Sequence, residues 1–246
     1  MERPDSRWLR SLTPTACGTV YPRSIAEGVQ EGDILPHGDA VLFWHRCGFA
    51  QLFGDVDAAC LAWVRETFFR QDDLPRRFVL FTDDAAVTAF FRDTEGITTG
   101  TRLGFVWPDD ASPPQYDLPP GYTRSPLDRT CLVQMQGRIT PRFSWDEDAF
   151  LEKGSGVCVL WEGRPAAWSF SAAVSADEVD IGIETSPDHR HRGLARCAAA
   201  AMIRTCLAVG KRPVWSCDAA NTASHMLAQS LGFVPTSTYT TIKTGK

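Results

Sequence analysis

The spacing of apolar and polar residues changes period several times along the chain, and each change marks a predicted element. Alternating or continuous apolar runs predict strands, at residues 40–43, 49–53, 78–82, 102–107, 131–135, 157–161, 166–174, 179–185, 214–217 and 233–241. Helical spacing behind capping residues predicts helices, at residues 24–35, 56–69 (behind Asp55), from 83 or 84 to 91, 193–209 and 222–231, with a short helix opening at residues 144–147. These elements predict an α/β fold in which helices cover a mixed sheet.

Proline density divides this pattern into two halves. Six of the sixteen prolines fall in residues 108–126. Proline lacks an amide donor and favours extended, exposed chain. The segment is therefore predicted to link an N-terminal α/β half, residues 1–107, to a C-terminal half, residues 127–246. A rigid loop that crosses one larger domain is the alternative.

Composition narrows the class of protein. The 246 residues carry a net charge of −5 and are 43% hydrophobic, which is typical of a globular chain and disfavours broad nucleic-acid binding. The eight cysteines lack C-x-x-C spacing, and no apolar signal region follows residues 1–5. No apolar run approaches the roughly 18 residues of a membrane span. We expect a soluble, cytoplasmic protein with reduced cysteines, a monomer or homodimer without a membrane or nucleic-acid partner.

A basic, glycine-containing turn follows the strand predicted at residues 179–185. It runs from Arg190 through Arg192 and Gly193 to Ala195, where a helix begins. The first amides of a helix lack intrahelical partners and carry partial positive charge, so they bind phosphate oxygens. Gly193 allows close approach because it has no Cβ. The turn is predicted to hold a diphosphate, with a plain helix start and exposed arginines as the alternative.

Two motifs resemble those of a known family. Arg190-x-x-Gly193-x-Ala195 resembles the (Gln/Arg)-x-x-Gly-x-(Gly/Ala) pyrophosphate loop of the GNAT N-acetyltransferase superfamily. A second motif is similar to the Asn-x-x-Ala-x-x-Leu-Tyr-x-x-x-Gly-Phe block of the same superfamily: Asn221-x-x-Ser224-x-x-Leu227, then Leu231-Gly232-Phe233. The resemblance covers residues 157–234 and implies a GNAT-like acetyltransferase fold in the C-terminal half.

The N-terminal half resembles a GNAT subgroup in which an additional α/β half precedes the acetyltransferase half. The matching segments are Tyr21-Pro22-Arg23-Ser24 and Phe43-Trp44-His45-Arg46-Cys47-Gly48-Phe49-Ala50. The resemblance implies that this half belongs to the transferase as an acceptor-side or structural domain. The aromatic residues around His45 are predicted to pack at the seam between the halves, and an acceptor pocket is the alternative.

The superfamily resemblance also implies acetyl-CoA as the co-substrate. The residues implied to bind it are Ile183 and Thr185, through their backbone, along the pantetheine arm; Arg190, Arg192, Gly193, Leu194 and Ala195 at the pyrophosphate; and Asn221 and Ser224 beside the pantetheine. His189 and His191 lack a carboxylate or thiolate companion, so no metal site is predicted.

Acyl transfer to an amine needs a general base. Alternation along the strand at residues 179–185 places Asp180, Gly182 and Glu184 on one face. Glu184 ends that strand beside the phosphate turn, and the resemblance implies that it is the catalytic base. A surface carboxylate paired with one of the neighbouring arginines is the alternative.

The departing thiolate can also take a proton from a general acid. Many superfamily members have a tyrosine for this purpose where this chain has Ala228. Tyr239 is the candidate replacement, and His225 is a second. Because a thiol with a pKa near 8.5 leaves tolerably as thiolate, the missing acid does not exclude catalysis.

These observations predict an acetyl-CoA-dependent N-acetyltransferase that acts on a primary amine. A small-molecule amine is favoured because the chain has no basic stripe for a nucleic acid. The alternative is a non-catalytic acyl-CoA-binding regulatory module, which the alanine at position 228 favours. A third hypothesis is an interaction protein whose turn is only a helix start.

Overall fold

The computed structural model describes residues 18–245; Cys17 and residues 1–5, which the signal prediction used, lie outside the described residues. Within this range eleven strands form one mixed sheet, in the order β1-β2-β3-β4-β11-β5-β10-β9-β8-β7-β6. The strands are β1 (Gly32–His37), β2 (Ala40–His45), β3 (Phe49–Gly54), β4 (Val79–Thr82), β5 (Ile97–Val106), β6 (Tyr122–Pro126), β7 (Gly156–Trp161), β8 (Arg164–Val174), β9 (Glu178–Thr185), β10 (Arg212–Asp218) and β11 (Val234–Thr244). The α-helices are α1 (Val20–Ala26), α2 (Ala58–Val64), α3 (Ala85–Arg92), α4 (Arg129–Gln134), α5 (Glu147–Lys153), α6 (Leu194–Ala208) and α7 (Thr222–Leu231). A π-helical turn (Arg65–Phe69) continues α2, and 3₁₀ turns lie at Pro141–Phe143 and Pro187–His189.

The two halves of the sheet repeat one topology that is not visible as a sequence repeat. Each half runs β-β-β-α-β-α-β, as β1-β2-β3-α2-β4-α3-β5 and as β7-β8-β9-α6-β10-α7-β11. In each half the third strand is parallel to the fourth. The last strands are exchanged, because β5 pairs with β10, β11 pairs with β4, and β5 pairs with β11 at the centre. The exchange joins both halves in one hydrogen-bonded sheet.

One predicted element near the middle of the chain is wrong, and one strand lies where none was predicted. Residues 131–135, predicted as a strand, lie largely in α4, because the Asp128 carboxylate accepts the amide hydrogen bond of Cys131 at 2.8 Å and caps a helix. The strand Tyr122–Pro126 lies inside the predicted linker and pairs with β7 at the sheet edge. Proline is tolerated there because an edge strand leaves one side of its backbone unpaired. The domain boundaries at residues 107 and 127 stay a prediction.

Two further corrections concern helix ends. The helix predicted at residues 24–35 ends at Ala26, because the amides of Val29 and Gln30 both donate to the Ser24 carbonyl, and β1 begins at Gly32. Asp57, rather than Asp55, caps α2. The other predicted elements are present, although β5 begins at Ile97 rather than at residue 102, and the short helix α5 begins after its Asp146 cap.

Helix α1 connects the two halves. It contacts β1, β2 and β3 in the first half and β8 and β9 in the second. Arg23 donates to the carboxylate of Asp177 at 2.5 Å. Shortly after the helix, Nε2 of the Gln30 side chain donates to the Ala172 carbonyl at 3.1 Å, and its Oε1 accepts from the backbone amide of Val174 at 3.0 Å. These bonds fix the position of α1 on the second half.

Helix α6 covers β7, β8 and β9. Its inner face consists mainly of small side chains, among them the fully buried Ala198, Ala199 and Ala200. Small side chains allow the helix to approach the sheet closely at native packing density. None of the helices in residues 18–245 is long and apolar enough to cross a membrane.

Candidate active site

Strands β9 and β10 separate part-way along the sheet and leave an opening. Their parallel pairing ends at Asp180 and Val214, although β9 continues to Thr185 and β10 to Asp218. On their other sides, β9 stays paired with β8 and β10 with β5. Beyond Asp180, the backbone groups on the inner edge of β9 are therefore free of the β10 ladder and face the opening.

A cavity of about 340 Å³ lies at this opening, and both halves of the chain form its wall. The second half contributes Asp180, Ile183, Asn221 and Ser224, among others. The first half contributes Tyr21, Phe49, Arg77 and Arg102, among others. A ligand in this cavity would thus contact the two halves together.

Asp180 is a buried carboxylate in the cavity wall. Its side chain accepts a hydrogen bond from the Tyr21 hydroxyl at 2.7 Å. Burial raises the pKa of Asp180 to about 6, against the opposing effects of the Arg102 charge and of hydrogen bonds from Tyr21 and Ser216. Burial, together with the Asp180 charge, holds the pKa of Tyr21 well above its usual range. A carboxylate that titrates near neutral pH beside a neutral phenol can exchange protons with a bound molecule.

The aromatic segment of the first half positions Tyr21. The Tyr21 ring makes edge contacts with His45, at 5.1 Å between centroids, and with Phe49, at 5.0 Å. His45 is fully buried, and its Nδ1 accepts the Cys47 amide hydrogen bond at 3.1 Å. Burial lowers the pKa of His45 to about 3, so the imidazole is neutral. Trp44 is buried in the first-half core, whereas Phe49 lines the cavity.

The turn before α6 leaves the helix N-terminus without a side-chain cap. Gly193 is the N-cap residue and has a left-handed φ of +77°. A Cβ added to Gly193 would meet only open space. Arg190 and Arg192 are exposed on the same turn. The amides of Leu194 and Ala195 lack intrahelical partners, so an anion can reach them without displacing a side chain.

Arg192 is oriented by a residue from the edge strand β6. Its Nη1 donates to the Tyr122 hydroxyl at 3.2 Å, and its Nη2 donates to the Asp188 carbonyl at 3.3 Å. The Tyr122 hydroxyl also lies 2.8 Å from Nδ1 of His189. Tyr122 belongs to the segment predicted as a linker, so sequence reasoning did not connect it to the turn. In residues 18–245 no three His, Cys, Asp or Glu side chains are grouped as a metal site requires.

Three of the residues predicted to bind the cofactor line the cavity: Ile183, Asn221 and Ser224. Asn221 also caps α7, since its Oδ1 accepts the Ser224 amide hydrogen bond at 3.1 Å. The Ser224 hydroxyl accepts from Nε1 of Trp215 at 3.0 Å. The Leu194 side chain is 1% exposed and packs in the core, so only its backbone is available to a ligand.

Glu184, the predicted base, anchors a neighbouring loop. Its Oε2 accepts the Ile139 amide hydrogen bond at 2.6 Å. Gly137 passes so close that a Cβ there would lie 2.5 Å from the same oxygen. Trp168, opposite Glu184 on β8, donates to the Ile139 carbonyl at 2.7 Å. Among the described residues, Glu184 is not part of the cavity wall.

The two candidate acids also lie away from the cavity wall that the described residues form. Tyr239 is buried on β11, opposite Arg102 on β5. His225 packs on the ring of Phe105, at 5.4 Å between centroids. Ala228 is 0% exposed in the main core, so a tyrosine side chain at that position would need the core to rearrange.

Sequence reasoning missed the pair formed by Asp180 and Tyr21. The strand pattern placed Asp180 on the same face as Glu184, but the choice between them depends on which side chain contacts Tyr21 and lines the cavity. Tyr21 is 159 residues away from Asp180 along the chain. The only sequence signal for Tyr21 was the short segment that resembles the GNAT subgroup.

In the described part of the first half, from residue 18 onward, the corresponding helix start differs from the phosphate turn. Only residues 55–57 connect β3 to α2. The Asp57 carboxylate caps α2 by accepting the Cys60 amide hydrogen bond at 2.7 Å. A carboxylate at a helix N-terminus satisfies the amides that an anionic ligand would need. This end of α2 therefore does not suit a phosphate.

Known proteins resemble this chain in sequence and in fold. A sequence model of the family described as GNAT acetyltransferase matches residues 103–242. An uncharacterised N-acetyltransferase, YdfB of Bacillus subtilis strain 168, is 25% identical over 177 residues, which cover 69% of this chain and 67% of YdfB.

Solved structures share the fold of this chain over all or nearly all of its length. A GCN5-related N-acetyltransferase-like protein from Streptococcus suis 89/1591 is 23% identical with a TM-score of 0.73, covering 97% of each chain. A tandem GNAT protein from the clavulanic acid biosynthesis pathway is 13% identical with a TM-score of 0.62, covering 100% of this chain and 97% of its own. The predicted fold class, a mixed α/β sheet of the GNAT type with an additional N-terminal half, is confirmed. With a family match over more than half of its length, the chain belongs to the GNAT acetyltransferase family.

Proposed function

We propose that this protein transfers an acetyl group from acetyl-CoA to a primary amine of a small molecule. Membership of the family supports acetyl transfer in general. The observation that carries the amine chemistry is the hydrogen-bonded pair of Tyr21 and Asp180 in the cavity wall. A cavity of about 340 Å³ is within the size range of small-molecule sites.

The residues along the opening fit acetyl-CoA, which supplies the acetyl thioester when bound. The uncapped start of α6 offers free amides and two arginines to a diphosphate. The free edge of β9 offers backbone groups to the amides of a pantetheine arm. In this proposal Arg190, Arg192, Gly193, Leu194 and Ala195 hold the diphosphate, and Ile183, Thr185, Asn221 and Ser224 hold the arm.

In this proposal Asp180, rather than Glu184, is the base. The acceptor amine attacks the thioester carbonyl carbon as the neutral amine, and the Asp180 carboxylate takes the proton that its nitrogen loses as the C–N bond forms and the C–S bond breaks. Tyr21 is a neutral phenol bonded to that carboxylate and donates a proton to the departing thiolate. Asp180 then passes its own proton to Tyr21. This exchange needs neither Tyr239 nor a tyrosine at position 228.

A thiol-release assay with acetyl-CoA and a panel of small primary amines tests the proposal. We expect turnover with at least one amine and a product that is heavier by one acetyl group. Binding is measured separately, since a ligand at 100 times its dissociation constant stabilises the folded state by about 2.7 kcal/mol. Stabilisation by acetyl-CoA without acetylation of any amine would favour the non-catalytic acyl-CoA-binding module.

Activity is expected to rise with pH through about 6, the pKa to which burial raises Asp180. The carboxylate accepts a proton only when it is ionised, so kcat/KM should fall as the pH drops below that value. The measurement is kcat/KM between pH 5 and 8 for the wild type and Glu184→Gln. Both should show the same acidic limb of the pH profile, the fall in kcat/KM below about pH 6. Asp180→Asn should lose it; a limb that persists in Asp180→Asn would contradict the assignment.

One acetyl-CoA is expected to bind per chain, although the sheet repeats its topology. The first half presents the Asp57 carboxylate at the helix start where the second half presents Gly193. Isothermal titration of the full chain with coenzyme A should therefore give a stoichiometry near one. Arg192→Gln should weaken this binding. A second site that persists in Arg192→Gln would show that the first half also binds coenzyme A.

A further inference from the structure

Three cations line the cavity, two from the first half and one from β11. Arg77, Arg102 and Lys243 lie in its wall together with two carboxylates, Asp180 and Asp218. Asp218 caps its own turn by accepting an amide hydrogen bond at 2.9 Å. Within residues 18–245, none of the three cations forms an ion pair. The wall therefore carries more positive than negative charge.

Arg102 is fixed along one edge of its guanidinium. Its Nε and Nη2 donate to the Ser216 hydroxyl at 3.1 and 2.8 Å, and Nη2 also donates to the Ser216 carbonyl at 3.2 Å. Its central carbon lies 5.1 Å from the ring centroid of Phe49 and 5.3 Å from that of Phe81. Among the described residues, Nη1 has no hydrogen-bond partner. A half-buried arginine held in this way keeps one donor group for a ligand.

Arg77 is held in a similar manner. Its Nε donates to the Cys47 carbonyl at 2.6 Å. Its central carbon lies 4.8 Å from the ring centroid of Phe143 and 5.0 Å from that of Phe49. Its two terminal nitrogens have no hydrogen-bond partner in the part of the chain that the structure describes. Because both arginines contact the ring of Phe49, two guanidinium groups lie within reach of one small ligand.

Lys243 extends this cationic surface along β11. Tyr239 pairs with Arg102 and Lys243 pairs with Thr98 in the same ladder. Four residues of strand thus separate the two pairs, or about 13 Å at roughly 3.3 Å per residue. Lys243 also pairs with Val79 on β4. The cationic surface is therefore long enough to contact a ligand group that lies several bonds away from the reacting amine of the same ligand.

We infer that the acceptor is an amine that also carries an anionic group, a carboxylate or a phosphate, bound by Arg77, Arg102 and Lys243 while its amine meets Asp180. This inference rests on the proposed acetyl transfer. Guanidinium forks match carboxylate and phosphate oxygens in geometry and charge. A polycationic acceptor would find like charge at the same surface, so the wall discriminates against it.

Matched pairs of acceptors test the inference. Straight-chain amino acids are compared with their amides, and aminoalkyl phosphonates with amino alcohols of equal length, at saturating acetyl-CoA. We expect kcat/KM to be about tenfold or more higher for the anionic member of a pair, as the loss of a charged hydrogen bond implies. The better of the two anions identifies the group that the surface binds.

Arg77 provides the variant because it is exposed. Arg77→Gln should remove most of the preference for the anionic acceptor and leave the KM for acetyl-CoA unchanged. Arg77→Lys should restore part of that preference. Arg92→Gln, an exposed arginine on α3 outside the cavity wall, is the matched control and should behave as the wild type.

Titration calorimetry in the presence of coenzyme A separates this inference from the proposed function. Tighter binding of the anionic member, lost in Arg77→Gln, supports the inference whether or not the ligand is acetylated. If the anionic amine binds in this way but no amine is acetylated, the proposed acetyl transfer is contradicted and the inference that the ligand is anionic is supported. If neutral or polycationic amines bind and react as well as anionic ones, the inference of an anionic acceptor is overturned, whereas the proposed acetyl transfer is supported.

Discussion

Asparagine in place of Asp180 is expected to lower kcat by about 10² to 10⁴, the usual contribution of a positioned general base. The amide has nearly the same shape, and its oxygen can still accept the Tyr21 hydrogen bond that the structure shows at 2.7 Å. The thermal shift with coenzyme A should be unchanged, because the carboxylate takes no part in holding the diphosphate. Steady-state kinetics with the best acceptor of the panel measures the effect.

The same variant should be more stable than the wild type at neutral pH. Burial raises the pKa of Asp180 from its ordinary 3.8 to about 6. Because the folded-state pKa is raised, the folded protein loses stability between about pH 4 and about pH 6 as the buried carboxyl group ionises, and asparagine does not ionise. Thermal unfolding should therefore show a gain at pH 8 that disappears below pH 4. A gain that is independent of pH would contradict this account.

Glu184→Gln is the matched control for the base. The Glu184 carboxylate accepts the Ile139 amide hydrogen bond at 2.6 Å, which glutamine can also do. We expect a small change in kcat and no change in the pH profile. The opposite outcome, a large loss in Glu184→Gln with normal activity in Asp180→Asn, would assign the base to Glu184.

Alanine in place of Gly193 is expected to raise the KM for acetyl-CoA by about tenfold to a hundredfold, as the loss of charge-assisted amide contacts implies. The backbone has a φ of +77° there, which costs an L-residue roughly 1–2 kcal/mol. The added methyl would also project into the open space at the start of α6, where the diphosphate is proposed to lie. Kinetics at varied acetyl-CoA and direct titration with coenzyme A measure the effect.

Gly210→Ala separates the backbone strain from the blocked site. Gly210 follows the other end of α6, has a φ of +71°, and a Cβ there would likewise meet only open space. Both variants should lose similar stability, and only Gly193→Ala should lose affinity for coenzyme A. Equal losses of affinity in the two variants would show that strain in α6, rather than the turn itself, controls cofactor binding.

The local parts of the molecule followed from the sequence. The turn from Arg190 to Ala195, the helix after it and the Asn221 cap of α7 were predicted within a residue or two. Each depends on residues that are neighbours along the chain: a left-handed glycine, an uncapped helix start, a side chain that bonds an amide three residues on. The strand predicted at residues 131–135 was wrong for a local reason too. The Asp128 side chain caps a helix there, although the apolar run indicated a strand.

The chemistry of the cavity was decided by tertiary structure. Asp180 and Glu184 are equivalent in the strand pattern, and only tertiary contacts put Asp180 in the cavity beside Tyr21 and leave Glu184 to anchor the loop at Ile139. Tyr21 reaches Asp180 because α1 lies across both halves.

Charge shows the same division between sequence and structure. The sequence determined a net charge of −5 but not where the charged side chains meet. The exchange of β5 and β11 places Arg102 and Lys243 beside Arg77 in one wall. Local charge depends on which strands are neighbours, and pairing between strands distant in sequence is specified by the packing of the whole sheet.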